Sequence, residues 1–118
     1  MQRIGVISDT HISGPDKGLD DIVARHFAGL DRVIHAGDMV SLHVLDGLHA
    51  CGKEVIAVCG NMDQREVAYA FPHKRVLEIE GVRIGIIHGW GALEGIRHRI
   101  KDSFDRVDAI IYGHTHQP

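Results

Sequence analysis

Five short clusters along the sequence hold side chains able to ligate a metal: Asp9-x-His11, Gly37-Asp38, Gly60-Asn61, His88-Gly89 and Gly113-His114-Thr115-His116. Taken singly most are ordinary, because Gly-Asp and Gly-Asn are turn signals and a lone histidine is commonly satisfied by a backbone carbonyl. The His114-x-His116 pair says more, since a spacing of two in an extended segment sends both imidazoles to one side. Together Asp9, His11, Asp38, Asn61, His88, His114 and His116 offer nitrogen and oxygen donors without a thiolate. Such a set suits Mn, Fe, Zn, Ni or Co rather than a soft metal or calcium. Seven ligands exceed the four of a structural zinc, so two ions with one bridging carboxylate are expected. Two divalent ions outweigh the Asp9 and Asp38 carboxylates by two charges, enough to hold a bridging hydroxide and a phosphate oxygen. Two metals about 3.5–4 Å apart lower the pKa of a shared water and neutralise charge on an in-line phosphoryl transition state. The predicted chemistry is therefore hydrolysis of a phosphate ester.

The elements that must position these clusters are short apolar runs. Arg3 to Ser8, Arg32 to Ala36, Val55 to Cys59, Val82 to Ile87 and Ala109 to Tyr112 read as strands. Their continuous apolarity predicts strands covered on both faces, hence α/β layering with a largely parallel early sheet. Each run ends in one of the five clusters. The carboxyl ends of strands are where an open α/β sheet forms its ligand crevice, so the clusters should converge. Val76 to Ile84 alternates around Glu80-Gly81 and predicts an antiparallel hairpin, making the sheet system mixed. Helical periods cover Leu19 to Gly29, with Ile22, Val23, Phe27 and Leu30 on one stripe, Ser41 to Ala50, with Ser41 as cap, and Leu93 to Ile100. Arg97, His98, Arg99 and Lys101 are expected on the wet side of the last. Arg65 to Ala70 is ambiguous.

A length of 118 residues predicts one domain, 1–118, and 44% apolar with 25% charged residues excludes disorder as the main state. A net charge of −3 excludes binding to nucleic acid by charge alone. No apolar run reaches the 18 or so residues of a membrane helix, and a cytoplasmic protein is expected. Cys51 and Cys59 are too few for a disulfide scaffold and read as reduced, partly buried residues. The 10 histidines are unusual for this length. Beyond the clusters, His35 reads as a neighbour reaching the site, His43 and His73 as crevice-mouth residues, and His26, His49 and His98 as helix-surface residues. Trp90 reads equally as a pocket wall or as a packing residue.

The five motifs, in this order from Ile4 to Pro118, resemble the calcineurin-like metallophosphoesterases. Ser8-Asp9-Thr10-His11, His35-Ala36-Gly37-Asp38 and Gly113-His114-Thr115-His116-Gln117-Pro118 resemble most their small single-domain prokaryotic phosphodiesterases. The resemblance implies a four-layer α/β/β/α sandwich with mixed sheets. It implies that Asp9, His11 and His116 hold one metal, that Asn61, His88 and His114 hold the other, and that Asp38 bridges both. The catalytic candidates are Asp38, Asn61, His114 and His35, the two histidines as phosphate contacts. Many members place a general-acid histidine after the motif asparagine, where this chain has Met62, so good leaving groups are expected and Asp63 lacks the histidine it would orient. Members also run a few tens of residues beyond the last motif. The second sheet is therefore expected to be incomplete, with an exposed edge that predicts a homo-oligomer.

The leading expectation is a dimetal phosphodiesterase, with manganese first among the candidate ions, acting on a small phosphodiester or nucleotide through a metal-bridging hydroxide. The alternative is a non-catalytic scaffold of the same fold, as in the retromer complex, whose subunit has an impaired metal site. Completeness of the ligand set favours the enzyme.

Overall fold

The computed structural model describes residues 1–50 and 52–117. Cys51 and Pro118, of the cysteine and last-motif readings, lie outside the described residues. The first sheet consists of β1 (Ile4–Ile7), β2 (Arg32–His35) and β3 (Glu54–Ala57), all parallel in the order β1-β2-β3. The second contains β4 (Lys74–Ile79), β5 (Val82–Ile87) and β6 (Ala109–Tyr112) in the order β4-β5-β6. Its β4/β5 pair is the antiparallel hairpin and its β5/β6 pair is parallel. The hairpin turns on Glu80 and Gly81, both with positive φ (50° and 82°), the combination that matches strand twist in a two-residue turn.

Alternation along the strands builds the layers. Ile34, Ile56, Val58 and Ile86 are buried between the sheets, with Ile4, Leu77, Ile84 and Ile111 packed against them. On the outer side of the first sheet Val33, Ala57 and Cys59 pack with Val23 of α1 (Lys17–His26), Leu48 of α2 (Asp46–Ala50) and Val67 of α3 (Arg65–Ala70). Beyond the second sheet Ile87 packs with Ile96 and Ile100 of α4 (Ile96–Asp102) and with Phe104. The result is the four-layer α/β/β/α sandwich. No helix among the described residues is long and apolar enough to cross a membrane.

Three helices differ from the sequence reading. The stretch after Ser41 is not one helix but a 3-10 turn (Leu42–Leu45) running into α2, with the Ser41 side chain accepting from the His43 N–H. Gly47, in the first turn of α2, packs closely on α1: a Cβ there would collide with the Asp20 carboxylate and meet the Asp20 backbone at 3.3 Å. In α1 Val23 is buried, with Leu19 and, just past the helix end, Phe27 packed against the same core, while Ile22 is exposed. Helix α4 starts at Ile96 after Gly95, whose φ of 73° ends the preceding loop. Arg99 of α4 turns back on that loop instead of into solvent. Its guanidinium donates to the carbonyls of Trp90 (2.8 Å), Ala92 and Glu94 (2.9 Å).

Candidate metal centre

Parallel pairing puts the carboxyl ends of β1, β2 and β3 on one edge, and those of β5 and β6 on the matching edge of the second sheet. The loops leaving these ends are tied together by main-chain bonds. The N–H groups of Asp9, His11 and Ile12 donate to the carbonyls of Gly37 (2.9 Å), Asp38 (3.0 Å) and Met39 (3.1 Å), and the N–H of Gly113 donates to His88 (3.1 Å). Two contacts cross between the sheets: His88 Nδ1 meets the Ala36 carbonyl at 2.8 Å, and the His114 N–H reaches the Asp9 carboxylate at 3.1 Å.

Within these loops each carboxylate has one oxygen held by protein donors and one turned inward. Asp9 Oδ2 accepts from the Ser8 hydroxyl at 2.6 Å, and Asp38 Oδ1 accepts from the Met62 N–H at 2.8 Å. Asp38 Oδ2 lies 3.1 Å from His88 Nε2 and 3.5 Å from His11 Nε2. Asp9 Oδ1 lies 3.3 Å from His116 Nε2, 3.6 Å from His88 Nε2 and 3.8 Å from His11 Nε2. Two groups of potential ligands result, Asp9-His11-His116 and Asp9-Asp38-His88, with Asp9 common to both. Nitrogen and oxygen atoms bound about 2.0–2.2 Å from one ion are about 3.0–3.5 Å from each other, so most of these separations suit a shared cation.

His88 makes the need for a cation explicit. Its Nδ1 is committed to the Ala36 carbonyl, its side chain is 2% exposed, and its Nε2 is buried with no hydrogen-bond partner. With the proton on Nδ1, the Nε2 lone pair faces two carboxylate oxygens, an arrangement of acceptors only that a metal ion satisfies. Burial pushes the Asp9 carboxyl up, but the Ser8 hydroxyl, His88, the His114 N–H and His116 together hold it below its ordinary value. Asp9 is thus kept as the anion a metal needs.

The backbone at these positions is strained in a way no composition reveals. Asp9 (φ 53°), His11 (50°), Asp38 (58°), His114 (73°) and His116 (54°) all adopt the left-handed region that non-glycine residues avoid, and Val40 does so at 77°. Such conformations persist only where the surroundings over-determine them, and here they aim ligands. Asp63 supplies much of that determination. Its carboxylate accepts from the N–H groups of Val40 (2.6 Å), Gly60 (2.6 Å) and Asp38 (3.2 Å), clamping the loops after β2 and β3 to each other. Instead of orienting a histidine, Asp63 orients backbone. Asp63→Ala is expected to lower stability by about 3 kcal/mol, since three donors lose a charged acceptor, as checked by urea denaturation of the metal-free protein.

Two of the sequence-predicted residues are placed otherwise than expected. His35 is fully buried, with Nδ1 accepting from the Gly37 N–H at 3.2 Å and Nε2 against the Thr10 hydroxyl at 3.0 Å. Both ring nitrogens are engaged by groups of the loops after β1 and β2, so in this structure His35 joins those loops and faces no solvent. His114 is not gathered with the other ligands through its ring: its Nε2 meets the Gly91 carbonyl at 2.9 Å, edge-on to His88. Asn61 is exposed and shares a cleft wall with His88. His73 is 3.2 Å from Cys59 Sγ in that cleft, and the buried Cys59 thiol is free, its pKa pushed up by burial and by Asp63. His43 pairs with Asp46 at 3.1 Å.

Burial lowers the His35 pKa to about 4. The unfolded chain binds that proton near pH 6.5, so between the two values the unfolded state holds more protons and stability falls as pH falls. The contribution is complete above pH about 6.5 and is lost on acidification toward 4, on the order of 3 kcal/mol. Metal-free His35→Gln should show a correspondingly flatter stability profile over that window in urea titrations.

Comparison with known proteins agrees with this geometry. The calcineurin-like phosphoesterase superfamily domain matches residues 2–118. A probable metallophosphoesterase of Methanocaldococcus jannaschii is 39% identical over 118 residues, covering 98% of this chain and 59% of the relative. A phosphodiesterase of the same organism is 29% identical over 128 residues, covering 98% and 74%. Vacuolar protein sorting 29 from Cryptosporidium parvum has the same fold with a TM-score of 0.72 at 23% identity, over 98% of this chain and 66% of that one. This chain therefore spans about three-fifths to three-quarters of the length of the proteins it matches. With candidate ligands gathered from the carboxyl ends of β1, β2, β5 and β6 and a family match over residues 2–118, the chain belongs to the calcineurin-like phosphoesterase superfamily.

Proposed function

We propose that this protein is a phosphodiesterase that uses two divalent transition-metal ions to hydrolyse a small phosphodiester or nucleotide. The observation that carries the reading is the buried His88 Nε2, without a hydrogen-bond partner, set against the Asp9 and Asp38 carboxylates. Asp9, His11 and His116 would hold one ion. Asn61, His88 and His114 would hold the other, which for His114 requires its ring to leave the Gly91 carbonyl or to use its second nitrogen. Asp38, whose Oδ2 faces both His11 and His88, would bridge them. The donor set is nitrogen and oxygen throughout, which suits manganese and its first-row neighbours. Such a pair of ions acidifies a water and neutralises charge on the phosphoryl group.

The chain's own residues define what remains. Met62 occupies the position next to Asn61 and is half exposed, and a thioether holds no proton to give a leaving group. Substrates whose leaving group departs as a stable anion are therefore favoured. The test is hydrolysis of bis-p-nitrophenyl phosphate with Mn²⁺ supplied or chelated. Turnover that stops on chelation and returns with metal is expected. Metal binding without turnover would instead favour a metal-binding interaction subunit.

A further inference from the structure

Beside the candidate ligands Asn61 and His88 lies a cleft of about 580 Å³, walled by Pro72, Ile87 and Trp90. Its volume falls within the range of small-molecule sites. Two polar side chains on its rim are engaged elsewhere. Lys74 Nζ donates to the Ser103 carbonyl at 2.5 Å and sits over the Phe104 ring, while His73 Nδ1 is 3.2 Å from Cys59 Sγ. What the cleft offers is apolar surface continuous with metal ligands. Trp90, 46% exposed, is the only tryptophan of the chain, and the Arg99 guanidinium fixes its loop by bonding the carbonyls of Trp90, Ala92 and Glu94. A large aromatic face held in place next to a phosphate-binding centre loses little entropy on stacking.

We infer that this cleft binds the organic group of the phosphate ester, and that the group is a planar aromatic ring, an aryl or a nucleobase, stacked on Trp90. The inference rests on the proposed phosphoesterase reading for the anchoring of the phosphate, and it names the substrate class that reading leaves open. An ester with an aliphatic group would be held by the phosphate alone.

Trp90 fluorescence reads occupancy of the cleft directly. The Mn²⁺-loaded protein is titrated with phenyl phosphate, adenosine 5′-monophosphate, methyl phosphate and inorganic phosphate, with calorimetry in parallel. The two ring-bearing probes should change the emission saturably and bind about tenfold tighter than methyl phosphate. Trp90→Ala, followed by calorimetry, should bring phenyl and methyl phosphate to similar affinities, and Trp90→Phe should keep most of the preference. Equal affinities for the ring-bearing and methyl esters in the wild type, with Mn²⁺-dependent hydrolysis of bis-p-nitrophenyl phosphate intact, would overturn the ring site and leave the phosphoesterase reading standing. Failure of all four probes to bind while bis-p-nitrophenyl phosphate is still hydrolysed would likewise overturn the ring site alone, and loss of that hydrolysis as well would overturn both.

Discussion

Asp38→Ala is expected to reduce Mn²⁺-dependent hydrolysis of bis-p-nitrophenyl phosphate by at least about 10³-fold, equivalent to about 4 kcal/mol of barrier. The size follows from where the carboxylate stands. Asp38 Oδ2 is the oxygen that faces both His11 and His88, one histidine from each group of ligands, so its removal takes away the charge proposed to bridge them. The fold should survive, because Asp38→Ala removes one loop bond, from the Met62 N–H to Oδ1, and keeps those of the Asp38 backbone: its N–H to Asp63 and its carbonyl to the His11 N–H. Thermal melts separate the two effects. A ligand at 100 times its Kd stabilises the native state by about 2.7 kcal/mol. Wild type should show an upward shift of Tm with Mn²⁺, whereas the variant should show little shift from a similar metal-free Tm.

Gly60→Ala tests the centre without removing any ligand. A Cβ on Gly60 would lie 2.7 Å from the Asp38 backbone nitrogen and 2.8 Å from His88 Cδ2, and would collide with Asp38 Oδ1. Two of these neighbours are a main-chain atom and a buried ring, neither of which can swing aside. The expected outcome is a stability loss of about 3 kcal/mol together with weakened metal binding, measured by urea denaturation and by Mn²⁺ titration. Gly29→Ala is the control, since a Cβ there meets nothing within 4 Å.

Much of the site was legible because ligand types and strand ends are both properties of sequence. Apolar runs predicted the strands to within a residue or two, and the placement of Asp9, His11, Asp38 and His88 after those runs predicted their convergence. The Glu80-Gly81 turn announced the hairpin through its tolerance of positive φ. What was not legible depends on long-range contact. Asp63 looked idle without a histidine to orient, and only the fold shows that it accepts three backbone N–H groups from two loops. His35 was indistinguishable in sequence from a crevice histidine until its burial was known. The left-handed backbone at Asp9, His11, Asp38, His114 and His116 carries only a weak propensity signal, since Asp and His enter that region more often than other side chains but are held there by the surrounding loops. The division of Ser41 to Ala50 into a 3-10 turn and α2 is likewise absent from the helical period of its leucines.

The central claim is a centre for two metal ions built around Asp9 and Asp38. Its most direct measurement is the number of ions bound per chain, from metal analysis of protein equilibrated with Mn²⁺ and separated from free ion. The account predicts two for the wild type and a loss of binding in Asp38→Ala. No bound metal, or a single ion held equally well by Asp38→Ala, would contradict it.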